Sequence, residues 1–145
     1  MFKKIAKLRV VGSQTAEFKF YQIEGEPSVI GHPATEANKP YLNAVLAGGR
    51  AVLRRMRKRK LSPEALQESR EQDFVLYPKH VLVGFGTPPE RDDGTPAVAE
   101  DMEAFLRALP VEMFDEMRAF FGDPDSFRAE NELSTEDAEE LSGNS

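Results

Sequence analysis

Residue types that often carry chemistry are sparse in this sequence, apart from carboxylates. The 145 residues contain no cysteine and two histidines, against 25 aspartates and glutamates. The chain can therefore form no disulfide, no thiolate metal site and no cysteine nucleophile. His32 and His80 lack the H-E-x-x-H and H-x3-H spacings of metal ligands, so we expect both to be structural.

The acidic stretch that includes Glu90, Asp92 and Asp93 has the composition of a cation site but not its spacing. A calcium loop spreads its ligands over about twelve residues and ends in glutamate, which DDGTPAVAE (92–100) does not provide. Asp93-Gly94 is a tight-turn signal. GFG (84–86) lacks the lysine and hydroxyl of a phosphate loop, and no pair of carboxylates stands out as a general acid and base. We expect a protein with no catalytic residue, metal or cofactor, and therefore not an enzyme.

The run RRMRKRK at 54–60 is the strongest charge signal. Its six positive charges, among them Arg54, Arg55 and Arg57, could contact phosphates. The acidic pI of about 5.0 and the lack of interleaved aromatic residues argue against that interpretation. Nucleic-acid binding is therefore the least favoured hypothesis.

Charge is distributed unevenly along the chain. Residues 1–60 contain 13 basic and four acidic residues, whereas residues 61–145 contain six basic and 21 acidic ones. Such polarity suits either two halves that attract each other or partners of different charge. Lys7 and Arg9 interrupt the apolar residues near the start, so we expect neither a signal peptide nor a membrane segment.

The first 36 residues have a strand-like pattern. EFKFYQI (17–23) alternates apolar and polar residues, EGEP (24–27) follows as a turn, and Val29 and Ile30 come next. This pattern predicts a β-hairpin or a small antiparallel sheet, to which residues 4–12 add a third strand.

Residues 37–128 have mainly helical periodicity. Leu42, Val45 and Met56 belong to a stripe that starts near Lys39, and Ser62-Pro63 is a helix start. Pro78 predicts a kink or restart, and 80–86 fits either a buried strand or a helix. Two amphipathic helices around 102–109 and 111–121, separated by Pro110, should form the main core.

The expected fold is α+β and mainly α. A β-rich part (1–36) and a helical bundle (37–128) form one globular domain, followed by an acidic, partly disordered tail at 129–145.

Several segments together resemble the tail assembly chaperone-like proteins of long-tailed, siphovirus-type bacteriophages and prophages. The resemblance covers most of the chain. Its segments are PATEANKPYLNAVL (33–46), YPKHVLVGFG (77–86), DDGTP (92–96), AFLRALPVEMFDEMRAFFGDPDSF (104–127) and EELSGNS (139–145).

The resemblance implies a non-enzymatic chaperone in the bacterial host cytoplasm. Its partners would be the tape measure protein and the major tail (tube) protein, and self-association is possible. A structural virion protein of the tail or connector is the alternative, and a nucleic-acid-binding regulator is less favoured. The candidate partner-binding residues are Leu42, Val45, Met56, Arg54, Arg55, Arg57, Phe74, Tyr77 and Phe85.

Overall fold

The computed structural model describes residues 2–48 and 62–128. The basic run at 54–60 and the acidic tail at 129–145 lie outside these ranges.

A three-stranded antiparallel sheet is built from β1 (Ala16–Lys19), β2 (Ser28–Gly31) and β3 (Leu82–Phe85), in the order β1-β2-β3. β1 and β2 form the predicted hairpin, with Phe18 opposite Val29. The connection turns at Gly25, whose φ of 86° suits glycine because it lacks a Cβ atom. The hairpin prediction is confirmed.

The described fold includes the α-helices α1 (Lys3–Ala6), α2 (Lys39–Gly48), α3 (Pro63–Leu76), α4 (Met102–Ala108) and α5 (Val111–Phe121). A 3-10 helix (Ala99–Asp101) precedes α4, and residues 125–128 are also helical. α3 begins as predicted, since the Ser62 hydroxyl accepts a hydrogen bond from the amide of Ala65 at 3.1 Å. The sheet and helices together confirm an α+β fold that is mainly α.

The chain changes geometry where Pro78 interrupts the helical pattern. Proline has no amide hydrogen for the helix ladder, and the α-helix gives way to a π-helical turn over Tyr77–Val81. The amide of Leu82 bonds the carbonyl of Tyr77 and ends this turn. β3 follows at once, so the strand interpretation of 80–86 is correct for 82–85.

The position of the third strand differs from the prediction. Residues 4–12 contain part of α1 and irregular backbone, whereas β3 comes from the part predicted to be helical. Residues 3–9 hold four basic side chains and are all exposed, so this segment has no buried apolar side. The apolar run at 81–85 has one, with Val81 and Leu82 buried.

One hydrophobic core joins the sheet to the helices. α4 and α5 supply much of it, as predicted, and the strands and the π turn supply the rest. Its largest fully buried side chains are Tyr77, Phe114, Phe121, Phe127, Leu106 and Met117.

Candidate partner-binding surfaces

The predicted surface on α2 is partly covered. Leu42 and Val45 are half-buried, α2 has no fully buried residue, and Leu46 is 44% exposed. Asn38 positions this helix, because its Oδ1 accepts from the Tyr41 amide at 3.2 Å. The other members of the predicted surface, Met56, Arg54, Arg55 and Arg57, lie outside the described residues.

The predicted aromatic candidates are mainly core residues. Tyr77 is 2% exposed, so its prediction as a partner-facing residue is corrected: the π turn directs its ring into the core with Val81. Phe74 is half-buried and stacks on Phe114 with ring centroids 4.4 Å apart. Phe85 is half-buried against Phe105, at 5.4 Å.

A buried carboxylate joins three helices behind these aromatic residues. One oxygen of Asp73 accepts from the Tyr41 hydroxyl at 2.8 Å, and the other accepts from Arg118 Nε at 2.8 Å. Arg118 also donates to Ser69 Oγ at 2.6 Å. Burial raises the pKa of Asp73, while the charge of Arg118 and the two hydrogen bonds oppose the rise.

A second carboxylate extends this network to the surface. Asp115 receives a bidentate contact from Arg70, with Nε at 3.1 Å and Nη2 at 2.7 Å, and these bonds lower the pKa of Asp115. Arg118 Nη1 contacts the same carboxylate at 3.4 Å. Because both acids are held by arginines between packed helices, the arrangement suits a structural brace.

The sheet has a smaller polar contact at one end. Ser28 is fully buried, donates to Glu17 at 2.6 Å and accepts from the amide of Thr87 at 2.8 Å. The first bond lies within the hairpin and the second joins segments distant in sequence, so the serine fixes the hairpin to the chain that follows β3.

The N-terminal stripe is the most exposed apolar surface of the described chain, and we define it as Phe2, Ile5, Leu8 and Val11. These side chains are 66%, 62%, 49% and 58% exposed. Four cations lie between and beside them: Lys3, Lys4, Lys7 and Arg9.

The stripe is held against the rest of the molecule by its backbone. Arg128 Nε donates to the carbonyl of Leu8 at 2.8 Å. The sequence prediction missed this surface because it assigned 4–12 to a strand. The spacing of three between Phe2 and Ile5, at either end of the single turn of α1, was the available signal, since it places both side chains near one side of a helical turn.

A groove lies between β1 and α5. It has a volume of about 560 Å³, and Phe18, Phe20, Met113 and Phe120 form its apolar lining. Tyr21, 74% exposed, stands at its edge. The groove is thus a second place where apolar side chains are reachable from outside.

Neither a cluster of metal-ligand side chains nor a membrane-spanning helix occurs among the residues that the structure describes. Within 2–48 and 62–128, no group of three or more His, Asp or Glu residues is placed to hold a metal ion. In the same ranges no helix is long and apolar enough to cross a membrane. Comparison of the chain with protein-family models, curated proteins and solved structures gives no match.

Proposed function

We propose that this protein is a non-enzymatic tail assembly chaperone of a long-tailed phage or prophage. It acts in the host cytoplasm, binds the tape measure protein and promotes assembly of the tail tube. The proposal rests on the segmental resemblance and on one structural observation, the exposed N-terminal stripe with its four cations.

The stripe has the chemistry needed to bind an amphipathic helix. Four apolar side chains that are 49–66% exposed lose water-accessible area on docking, at about 25 cal/mol per Å². Exposed apolar patches rimmed by polar groups commonly mark protein-binding sites. The neighbouring lysines and arginine favour a partner helix with acidic residues beside its apolar face.

A tape measure protein, as the resemblance implies, is long and helical. Its apolar stripes would aggregate if they stayed exposed before the tube surrounds them. A small protein with a reachable apolar surface can cover those stripes and leave when tube subunits replace it.

Co-expression tests the proposal. The full chain is produced together with the tape measure protein of the same phage, and the soluble fraction of the latter is measured. We expect wild type to raise that fraction and Ile5→Ser/Leu8→Ser to lose the effect, because serine removes the apolar area without touching the core.

Val98→Ser/Val111→Ser is the matched control, since these valines are 45% and 48% exposed outside the stripe. It should behave as wild type. A folded wild-type chain without effect on solubility would contradict the proposal. Stoichiometric presence in purified particles, measured by mass spectrometry, would favour the structural virion protein instead.

A further inference from the structure

β1 is an edge strand, with no strand paired to its outer side among residues 2–48 and 62–128. In the sheet order β1-β2-β3, β1 has β2 as its neighbour on one side alone. The amide of Phe20 donates to the carbonyl of Pro27 at 2.8 Å, so the peptide groups of Phe20 point toward β2. Along an antiparallel strand every second residue has this orientation, so the peptide groups of Phe18 also point toward β2. The peptide groups of Glu17 and Lys19 therefore point to the outer edge, which is a template for another strand.

The side chains at this edge have opposite charges. Glu17 and Lys19 are two residues apart on one strand and project from the same face of the sheet. Glu17 contacts Ser28, and the Lys19 ammonium lies 5.8 Å from the centroid of the Tyr21 ring. Neither is ion-paired with another residue of the described chain.

We propose that a second copy of this chain pairs with this edge, β1 against β1 and antiparallel, about a two-fold axis at Phe18. In that register Glu17 of each copy lies opposite Lys19 of the other, and both residues have the outward peptide groups that form the hydrogen-bonded pairs. The result is one six-stranded sheet with a self-complementary junction.

Charge selects this register over its neighbours. A two-fold axis at Glu17 would place the two Glu17 carboxylates opposite each other, and an axis at Lys19 would oppose the two ammonium groups. Like charges directly across a strand pair are destabilising. The axis at Phe18 gives two attractive pairs and no repulsive one.

The other face of the junction has room for the partner's aromatic side chain. Phe18 is half-buried, with its ring 5.3 Å from that of Phe120. The groove of about 560 Å³ between β1 and α5 opens at this edge and is lined by Phe18, Met113 and Phe120. The Phe18 ring of the second copy would enter this space and bury apolar surface on both chains.

Complementary charge reversal tests the pairing. Sedimentation equilibrium of the full chain should give a dimer for wild type. Glu17→Lys and Lys19→Glu should each raise the dimer dissociation constant about tenfold or more, because each turns both attractive pairs into repulsive ones. An equimolar mixture of the two variants should restore the dimer, since both cross-strand pairs then join a lysine of one variant to a glutamate of the other.

The controls separate this pairing from a general charge effect. Glu24→Lys and Lys79→Glu make the same charge changes at exposed positions outside β1 and should dimerise like wild type. Lys19→Pro removes an outward amide and should abolish the dimer, with far-UV circular dichroism verifying that each variant is folded.

A monomeric wild type, single variants that dimerise as wild type does, or a mixture that fails to associate would overturn the proposal. None of these results bears on the chaperone function, because the pairing uses β1 and not the N-terminal stripe.

Discussion

At the residue scale, Asp73 is a buried carboxylate that connects three helices. It is 5% exposed and connects Tyr41 on α2 with Arg118 on α5. Ion pairs of this kind add little net stability when formed, but removing one partner is costly because the other charge stays buried. Asp73 is therefore a structural residue in our account, although its type and burial resemble those of a catalytic acid.

Substitution of Asp73 tests this role. We expect Asp73→Asn to lower the free energy of unfolding by about 3 kcal/mol, because the guanidinium of Arg118 loses its most buried counter-charge. Tyr41→Phe, which removes one neutral donor to the same carboxylate, should cost about 1 kcal/mol. Urea unfolding at neutral pH measures both, and an Asp73→Asn variant as stable as Tyr41→Phe would contradict the bracing role.

The contact between Asp115 and Arg70 predicts how the free energy of unfolding depends on pH. Its folded pKa is held below the ordinary 3.8 by Arg70, so the native state binds this proton less readily than the unfolded chain. The stability it contributes is present above about pH 4 and is lost as the pH falls through the folded pKa. The penalty of Asp115→Asn, measured by urea unfolding, should therefore shrink between about pH 7 and about pH 2.5. A constant penalty over that range would refute the assignment.

At the element scale, the central strand must approach α5 closely. A Cβ atom on Gly31 would lie 2.9 Å from Phe121 Cε1 and 3.0 Å from Leu82 Cδ2. The register shift between Ile30 and Gly31 occurs at the same place. The absence of a side chain at this position allows the sheet and the helix to share one core.

Two alanine substitutions test this close approach. Gly31→Ala should lower the free energy of unfolding by about 1–3 kcal/mol, since the added methyl group overpacks the core. Gly84→Ala on the neighbouring strand is the matched control, because a Cβ there meets no atom within 4 Å. Thermal and urea unfolding should separate the two variants clearly. Equal stability of the two variants would mean that the core around Gly31 rearranges to make room for the methyl group.

Sequence reasoning was most reliable where one local signal determined an element. Ser62-Pro63 gave the start of α3, and Pro110 gave the boundary between α4 and α5. It failed to place the third strand: the pattern at 80–86 fitted a strand or a helix equally, and the pairing of Val29 with Phe85 across more than fifty residues has no local signal. Tyr77 was misassigned because Pro78 predicted only a kink or restart, whereas the chain forms a π turn at Tyr77–Val81 in which the Tyr77 ring is buried.

At the whole-molecule scale, the described surface includes two separate apolar surfaces, the N-terminal stripe and the groove between β1 and α5. The N-terminal stripe is surrounded by cations, whereas the groove beside β1 is bordered by Glu17, Lys19 and Glu116. The two surfaces therefore suit different occupants: a partner with acidic residues for the stripe, and a charge-balanced strand for the edge. Neither surface was predicted, because exposure is a property of the folded chain.

The most direct test of the chaperone proposal measures, by isothermal titration calorimetry, the binding of the intact protein to purified segments of the tape measure protein. We expect a saturable complex with a negative heat-capacity change from apolar burial. We also expect affinity to decrease as salt screens the cations beside the stripe. Ile5→Ser/Leu8→Ser should lose the complex and Val98→Ser/Val111→Ser should retain it. No binding to any segment by a folded chain, or equal binding by both double variants, would contradict the account.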